Sequence, residues 1–351
     1  MVTRDEVFAA LAGVADPELG KDIVALRMVD DVVVEGATVS FTLNLTTPAC
    51  PLRNRIETGA REAVASLEGV KEVKMKTSST VFATRDYSKT ETLRGVRNVI
   101  AIASGKGGVG KSTVAVNIAA ALAATGASVG ILDADIYGPN VPHMMGLKQD
   151  AQVKDNLIIP PIAFGVKVAS LGFFYRDETP LIWRGPMVAG AVRQLITQVD
   201  WGDLDYLICD LPPGTGDSPL TLAQTVPLGG VVIITTPQEA ALSIASKSLA
   251  MFRRLNIPIL GVVENMSYFV CPHCGERVDV FSTGGGRKMA QNLDAQFLGE
   301  IPLDVSIREQ SDLGAPIVCA RPDSHQANAF KDVAFRLAGM VSIVAFSKGG
   351  T

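Results

Sequence analysis

Cysteine is scarce in this chain, aromatic residues are few, and neither sign of charge is in large excess. Five unevenly spaced cysteines among 351 residues exclude the disulfide framework of a small secreted protein. A formal net charge of -4 gives no overall field that would attract nucleic acid or anionic lipid. No apolar run is long enough to cross a bilayer, and the first residues lack the pattern of a signal peptide. We therefore expect a cytoplasmic protein whose partners include no nucleic acid and no membrane.

Apolar residues are abundant, at 47% against 19% charged residues, and this balance supports a packed core. The length suits about two domains. Residues 86–96 form a polar stretch without periodicity, which predicts a linker. Before it, alternating apolar residues at 39–45 predict a strand, and Pro51 predicts the start of a helix. We expect a small α/β domain over residues 1–85 and a larger domain over residues 97–345.

The larger unit alternates apolar runs with helical segments. The runs are continuous, as is typical of parallel strands that are buried on both faces of a sheet. Together they predict a three-layer α/β fold with a mostly parallel sheet, in which ligands bind at the carboxyl ends of the strands. The runs lie at residues 98–102, 128–132, 206–209, 231–234 and 258–263.

A phosphate-binding motif lies between the first run and the helix that follows it. Residues 105–112 read GKGGVGKS and fit the P-loop pattern G-x-x-x-x-G-K-[ST] at every fixed position. Glycines let backbone N–H groups curl around phosphate oxygens, and the helix N-terminus favours negative charge. Lys111 would neutralise the β- and γ-phosphates of ATP, and Ser112 would bind Mg²⁺ through its hydroxyl. The predicted nucleotide-binding residues of this loop are Gly105, Lys106, Gly107, Gly108, Val109, Gly110, Lys111, Ser112 and Thr113.

Aspartates follow two further runs, so the predicted fold would bring them to the same edge of the sheet. Asp133 and Asp135 follow one run, and Asp210 follows another. Mg²⁺ prefers hard oxygen ligands and usually keeps several waters. We therefore expect Asp210 to hold Mg²⁺ directly or through water, with Asp133 as a second candidate. An aspartate at a strand end can instead cap the next helix, and that alternative stays open, most of all for Asp133.

Cys271 and Cys274 form a C-x-x-C motif with the sequence Cys-Pro-His-Cys. Two thiolates at this spacing can grip one metal centre, whereas a closed zinc site or a [4Fe–4S] cluster needs four ligands. No second pair is present, so two chains meeting at a two-fold axis would have to supply the four thiolates. The alternatives are a thioredoxin-type dithiol, a structural zinc knuckle that uses His273, and two unpaired cysteines.

The P-loop with its early lysine, Lys106, resembles the deviant Walker A loop of the family that contains nitrogenase iron protein and the Min and Par partition ATPases. In that family the early lysine reaches the partner's nucleotide, so the resemblance implies an ATP-dependent homodimer. It also implies that Asp135 orients the attacking water, that Asn265 contacts adenine and that Pro302 flanks the base. The expected catalytic residues are therefore Lys106, Lys111 and Asp135. Ordinary turn chemistry stays open for Asn265.

Four motifs together closely resemble the Mrp family of iron–sulfur cluster carrier ATPases: the P-loop, the segment 133–139, the Asp-Leu-Pro-Pro-Gly segment that begins at Asp210, and Cys-Pro-His-Cys. The amino-terminal unit resembles the MIP18-like domain that is often fused to that family. The matching residues are Asp-Pro-Glu at 16–18 and Thr-Thr-Pro-Ala-Cys-Pro at 46–51. Members of the MIP18-like family are linked to iron–sulfur protein maturation. Cys50 would then be placed for metal or thiol chemistry, although it could also be a small buried residue before the helix.

The resemblance implies a protein that binds iron–sulfur clusters and transfers them to apo-proteins, with ATP binding and hydrolysis. The implied ligands are ATP, Mg²⁺ and a cluster, most simply a [4Fe–4S] cluster that bridges a dimer. The implied partners are a second copy of the chain, apo iron–sulfur proteins and a cluster-assembly scaffold. A Min- or Par-like ATPase that binds membrane or DNA and a nucleotide-gated regulator with a structural zinc site are the alternatives. Residues 335–346 lack the basic amphipathic pattern of membrane-cycling relatives.

Overall fold

The computed structural model describes residues 2–17, 19–88, 93–135, 138–148, 151–173 and 185–347. Parts of three predicted segments lie outside the described residues. They are residue 18 of the Asp-Pro-Glu motif, residues 89–92 of the linker, and residues 136–137 of the segment 133–139.

The amino-terminal part of the chain folds as a small domain. Its elements are α1 (Arg4–Leu11), β1 (Ala15–Asp16), β2 (Lys21–Asp22), β3 (Val29–Glu35), β4 (Thr38–Leu45), α2 (Arg53–Ala65) and β5 (Glu72–Ser79). Strands β3, β4 and β5 form one sheet, in which buried and half-buried side chains alternate along β4 and confirm the predicted strand. Helix α2 begins at Arg53 rather than at Pro51, because the Cys50 N–H bonds to the Thr47 carbonyl (3.3 Å) and residues 47–52 form turns.

The remaining elements belong to the large domain. The first half contains β6 (Val99–Ser104), α3 (Lys111–Ala124), β7 (Val129–Asp133), α4 (Val141–Met144), β8 (Gln152–Lys154), β9 (Leu157–Ile159), β10 (Ile162–Ala163), β11 (Val166–Ser170), α5 (Gly185–Gln198) and β12 (Tyr206–Asp210). The second half contains α6 (Asp217–Thr225), β13 (Gly230–Thr235), α7 (Glu239–Arg254), β14 (Ile259–Glu264), β15 (Phe269–Val270), β16 (Arg277–Val278), α8 (Gly285–Asn292), β17 (Phe297–Glu300), α9 (Val305–Asp312), α10 (Ile317–Ala320) and α11 (His325–Ser347).

One eight-stranded sheet organises the large domain, in the order β10-β11-β7-β12-β6-β13-β14-β17. Every neighbouring pair is parallel except β10 and β11. Helices α3, α10 and α11 pack on one face of the sheet, and α5, α6 and α7 pack on the other. The predicted three-layer α/β fold with a mostly parallel sheet is thereby confirmed. The carboxyl ends of β6, β7, β12 and β14 lie at one edge, where the predicted ligand residues follow.

The small domain docks at the opposite edge of the sheet, against the amino ends of the strands. Thr47 Oγ1 and Tyr206 Oη lie 2.9 Å apart in a buried contact, and Tyr206 is the first residue of β12. Ala49 is buried in the same core cluster as α3 and α11. The turn that carries Cys50 is therefore part of the interface between the two domains.

The described part of the predicted linker packs on the large domain. Tyr87 and Leu93 are buried in its second core cluster, and Tyr87 Oη accepts a hydrogen bond from the Val99 N–H at 3.2 Å. Residues 86–96 look polar in sequence, yet Tyr87 and Leu93 place their side chains in the core of the large domain.

Helix α11 closes the fold on the face that also carries α3. Its buried side chains include Phe330, Val333 and Leu337, which belong to the first core cluster. None of the helices in the described part of the chain is both long and apolar enough to cross a membrane.

Candidate functional site

The P-loop connects β6 to α3, and its glycines are required by close packing and by backbone geometry. Gly108 and Gly110 adopt φ angles of +77° and +79°, which favour glycine over other residues. A Cβ on Gly105 would lie 2.7 Å from the Ala245 backbone nitrogen in α7, and one on Gly110 would lie 2.2 Å from Asn265 Nδ2. The loop can therefore pass close to its neighbours and direct its N–H groups inward.

Lys111 lies at the centre of a buried charge cluster where β7 and β12 end. Its ammonium donates to Asp210 Oδ1 at 2.7 Å and lies 3.7 Å from Asp135 Oδ2. The Ser112 hydroxyl donates to Asp210 Oδ2 at 2.5 Å. The structure thus brings together four of the predicted residues, and they carry one positive and two negative charges.

Ser112 and Asp210 also have the ligand chemistry that Mg²⁺ requires. Both offer hard oxygen atoms, and the two oxygens already lie within hydrogen-bond distance of each other. A P-loop serine and an aspartate at the end of a neighbouring strand are a donor set that suits an ion bound to nucleotide phosphates.

Asp133 is placed differently from the other aspartates. It is buried, and its carboxylate accepts hydrogen bonds from the Asp135 N–H (3.1 Å), the Val141 N–H (3.2 Å) and the Ser170 hydroxyl (3.1 Å). Burial, with the nearby Asp210 charge, raises the pKa of Asp133 to about 7. This geometry favours the capping alternative, in which Asp133 positions the loop that carries Asp135; its role as a Mg²⁺ ligand stays a prediction.

Of the two predicted base-contacting residues, Asn265 lies beside the P-loop. Asn265 follows β14, and its side-chain amide donates to the Val109 carbonyl at 2.8 Å. Pro302 is buried after β17, in a segment where the Ser267 N–H bonds to the Ile301 carbonyl at 2.9 Å. Contacts with adenine stay predictions for both residues. The contact between Asn265 and the loop itself was not foreseen from the sequence.

Lys106 and Thr113 complete the predicted set in the P-loop. Both are half-buried, and the Lys106 carbonyl accepts a hydrogen bond from Ser104 Oγ at 3.0 Å. That Lys106 reaches a partner's nucleotide stays a prediction.

Cys271 and Cys274 lie in an exposed turn between β15 and β16. The Gly275 N–H bonds to the Cys271 carbonyl at 2.8 Å, and the Cys271 N–H bonds to the Glu276 carbonyl at 2.9 Å. The hydrogen bonds from the N–H groups of Cys274 and then His273, followed by that from the Cys274 thiol, lower the pKa of Cys271. The turn therefore favours a thiolate, the form that binds metal.

The same turn is incomplete as a metal site within one chain. Among the described residues, no group of three or more histidine, cysteine or carboxylate side chains is arranged to hold a metal ion. A hairpin-borne knuckle also differs from the helix start that a thioredoxin-type dithiol would require.

The other three cysteines lie apart from this pair. Cys209 is a core residue inside β12, as expected, and burial raises the pKa of its thiol. Burial also raises the pKa of Cys319 in α10. Cys50 lies at the domain interface on the amino edge of the sheet, whereas Cys271 follows the carboxyl end of β14.

One residue of the site, Glu264, was missed in the sequence. It is a fully buried carboxylate at the end of β14, hydrogen-bonded to Ser267 and to the backbone N–H groups of Gly284 and Gly286. A glutamate that ends an apolar run and three consecutive glycines further along were the signals that could have revealed it.

Comparison with known proteins gives matches to both domains. Residues 95–338 match the family described as NUBPL iron-transfer P-loop NTPase, and residues 4–75 match the family described as iron–sulfur cluster assembly protein. The iron–sulfur cluster carrier protein of Synechocystis sp. is 49% identical over 98% of this chain and 99% of its own length. The iron–sulfur cluster transfer protein NUBPL of Mus musculus is 48% identical over 76% of this chain and 85% of its own length.

Solved structures agree with the fold. A nucleotide-binding protein from Archaeoglobus fulgidus in complex with ADP is 42% identical, with a TM-score of 0.59 over 66% of this chain and 92% of that chain. The cell division ATPase MinD of Pyrococcus furiosus is 23% identical, with a TM-score of 0.54 over 68% of this chain and 97% of that chain, and it shows the fold alone.

Proposed function

Because the chain belongs to the family of NUBPL-type iron-transfer P-loop NTPases, we propose that it carries an iron–sulfur cluster on Cys271 and Cys274 and delivers it to apo-proteins with the use of ATP. The observation that carries this proposal is the exposed turn in which backbone N–H groups lower the pKa of Cys271. A cysteine pair in an exposed turn can both receive a cluster and release it. Cluster transfer, rather than positioning on membrane or DNA, is the function that the family supports.

The cluster is cargo, and one chain supplies only half of a four-thiolate site. A [4Fe–4S] cluster is held by four cysteine thiolates. We propose a homodimer in which the two Cys271–Cys274 pairs meet at the two-fold axis. Val278 and Val280 support this interface, because they follow the cysteine pair and are 46% and 50% exposed.

ATP hydrolysis is the second part of the proposal, and the residues around Lys111 have the right chemistry for it. Lys111 would exchange its contact with Asp210 for contacts with the phosphates. Ser112 and Asp210 would hold Mg²⁺, which neutralises phosphate charge when it is bound. Asp135, close to Lys111, would orient the attacking water, and Lys106 would reach the nucleotide of the partner chain.

The location and partners follow from the same chemistry. Accessible cysteines that exchange a cluster need a reducing compartment, so we place the protein in the cytoplasm. Its partners would be an assembly scaffold that supplies the cluster and apo-proteins that accept it. Helix α11 gives no support to a membrane-cycling role, because its apolar side chains are used in the core.

Anaerobic reconstitution with iron and sulfide tests the cluster site. The intact chain should turn brown and hold about four iron atoms per two chains, and its solution mass should be that of a dimer. The double variant Cys271→Ser, Cys274→Ser should hold no cluster and still bind nucleotide, whereas the control Cys319→Ser should behave as the intact chain. A full cluster on single chains would contradict the bridging arrangement. A colourless chain that holds zinc would contradict the proposed function.

A further inference from the structure

Glu264 holds both ends of the segment that carries the two cysteines. We call residues 268–283 the Cys loop. Glu264 Oε1 accepts hydrogen bonds from Ser267 Oγ at 2.6 Å and from the Gly284 N–H at 3.2 Å, and Oε2 accepts one from the Gly286 N–H. Ser267 precedes the Cys loop and Gly284 follows it, so one carboxylate closes the base of the loop.

The three glycines at 284–286 make this closure sterically possible. Gly284 adopts a φ of +71°, and a Cβ on Gly286 would lie 3.0 Å from Glu264 Oε2. A Cβ on Gly285 would lie 2.5 Å from the Leu242 side chain in α7. The N-terminus of α8 can therefore approach the carboxylate, and its N–H groups stabilise the negative charge. No ion pair between described residues includes Glu264.

Contacts of Arg277 join the two ends of the Cys loop, so a movement of Ser267 or Gly284 would also move the thiols. Arg277 lies over the Tyr268 ring, 4.1 Å from its centroid, and donates to Thr283 Oγ1 at 3.1 Å. Tyr268 stands at the start of the loop and Thr283 at its end. Non-covalent contacts through Arg277 thus join the two ends of the loop that carries Cys271 and Cys274.

The neighbouring residue, Asn265, holds the P-loop. Its side-chain amide donates to the Val109 carbonyl, and a Cβ on Gly110 would also lie 3.7 Å from the Met266 methyl group. Val109 lies two residues before Lys111. Two consecutive residues at the end of β14 therefore contact the nucleotide loop on one side and the Cys loop on the other.

We propose that Glu264 and Asn265 couple nucleotide binding at the P-loop to the position and reactivity of the thiols of Cys271 and Cys274. Glu264 acts as a positioning residue, and the proposal rests on the proposed function for the role of the two thiols. When phosphates engage the P-loop, the Val109 carbonyl shifts with the loop, Asn265 follows, and Glu264 moves the base of the Cys loop. Coupling between two binding sites is reciprocal, so a cluster on the thiols would change nucleotide affinity by the same factor.

Thiol alkylation in the full chain tests the coupling without iron. In a Cys50→Ser, Cys319→Ser background, the iodoacetamide reaction of Cys271 and Cys274 is measured with and without Mg-ADP. Light scattering confirms that the chain stays in single copies, so that burial in a dimer does not affect the rates. We expect the two rates to differ by about fivefold or more, a typical size for coupling between sites. In Glu264→Gln the ratio should fall to about one, while the Kd for Mg-ADP stays within about threefold of that of the intact chain.

Three further variants separate coupling from simple loosening. A loosened Cys loop would raise the alkylation rates with and without Mg-ADP and leave their ratio unchanged. Loss of the coupling would instead bring the ratio to about one. Glu276→Gln removes an equal charge from the exposed part of the Cys loop and should keep the fivefold ratio. If Glu264→Gln does not fold, Ser267→Ala removes one contact at the base and should lower the ratio. Asn265→Ala should also lower it.

Two outcomes would overturn the proposal. One is an intact chain whose thiols react at the same rate with and without Mg-ADP, although Mg-ADP binds. The other is a folded Glu264→Gln or Ser267→Ala chain that keeps the full ratio. Because the assay contains no iron, a failure of cluster reconstitution would contradict the proposed function and leave this result standing.

Discussion

The hydroxyl groups of Thr47 and Tyr206 lie 2.9 Å apart in a buried contact that joins the small domain to the central sheet of the large one. Both hydroxyls are buried, and the Thr47 hydroxyl also accepts a hydrogen bond from the Ala49 N–H at 3.2 Å, so Thr47 links Tyr206 to its own turn. The contact fixes the small domain at the amino edge of the sheet, away from the charge cluster at Lys111.

Removing both of these hydroxyls should therefore cost less than the sum of the two single removals. Thr47→Val should lower the free energy of unfolding by about 1 to 3 kcal/mol, because it takes a hydrogen-bond partner from both the Tyr206 hydroxyl and the Ala49 N–H. Tyr206→Phe should cost less, because the Thr47 hydroxyl keeps its bond to Ala49. The double variant should lose less than the sum of the two. Urea denaturation of the four chains measures this. Strict additivity would show that the two hydroxyls do not pair. Thr42→Val serves as the control, because Thr42 is half-buried and its hydroxyl bonds to Asp31 at the surface.

Lys111→Ala should abolish ATP turnover, because the ammonium that neutralises the phosphates is lost. The change also leaves the fully buried Asp210 without its cation, so the nucleotide-free chain should lose about 3 kcal/mol of unfolding free energy. Adding Asp210→Asn should restore part of that stability without restoring turnover. Phosphate release and urea denaturation measure the two effects. Normal turnover in Lys111→Ala would remove the assignment of the P-loop.

Asp135→Asn should separate binding from hydrolysis. If the carboxylate orients water, the variant should bind Mg-ATP within about threefold of the intact chain and turn it over about 100-fold more slowly. The measurement is nucleotide affinity beside turnover at saturation. Asp155→Asn, in the exposed turn between β8 and β9, is the matched control. A loss of affinity with normal turnover at saturation would instead assign Asp135 to nucleotide binding.

The raised pKa of Asp133 predicts how the stability of the chain changes with pH. Its pKa rises on folding from an ordinary value of 3.8 to about 7, so between these values the folded chain holds a proton that the unfolded chain has released. The contribution of Asp133 to the free energy of unfolding is therefore full below about pH 4 and is lost as the pH rises to about 7.

Asp133→Asn should remove this fall in the free energy of unfolding with rising pH. Between about pH 4.5 and pH 7.5, the nucleotide-free intact chain should lose on the order of 2 kcal/mol more unfolding free energy than the variant. The exposed Asp312→Asn should show the slope of the intact chain. Equal slopes for the intact chain and Asp133→Asn would contradict a raised pKa.

Features that depend on short stretches of sequence were predictable. The fold class followed from continuous apolar runs, and both family resemblances are confirmed by the matches to residues 95–338 and 4–75. The P-loop chemistry is also local, since Gly110, Lys111 and Ser112 are consecutive. Because parallel strands end at one edge, even the meeting of Lys111 with Asp210 could be anticipated.

Features that depend on distant contacts were not predictable from pattern alone. Glu264 reads as the end of a strand, and only the fold shows that Gly284, twenty residues later, returns to its carboxylate. The resemblance assigned Asn265 to adenine, and its bond to Val109 could not be foreseen because the two residues are 156 positions apart. The start of α2 at Arg53 was missed because a turn bond at Cys50 overrides the preference of proline for a first helical turn.

The closure at Glu264 has a consequence for protein engineering. Because Ser267 and Gly284 are fixed at one point, and Tyr268 and Arg277 bond to His325 and Glu300, the turn between β15 and β16 can change in length without a change in the sheet. The entropic cost of closing a loop grows only slowly with its length. A shorter or longer metal-binding turn grafted between β15 and β16 should thus leave the P-loop geometry intact, so that different metal chemistry could be fitted to the same P-loop scaffold.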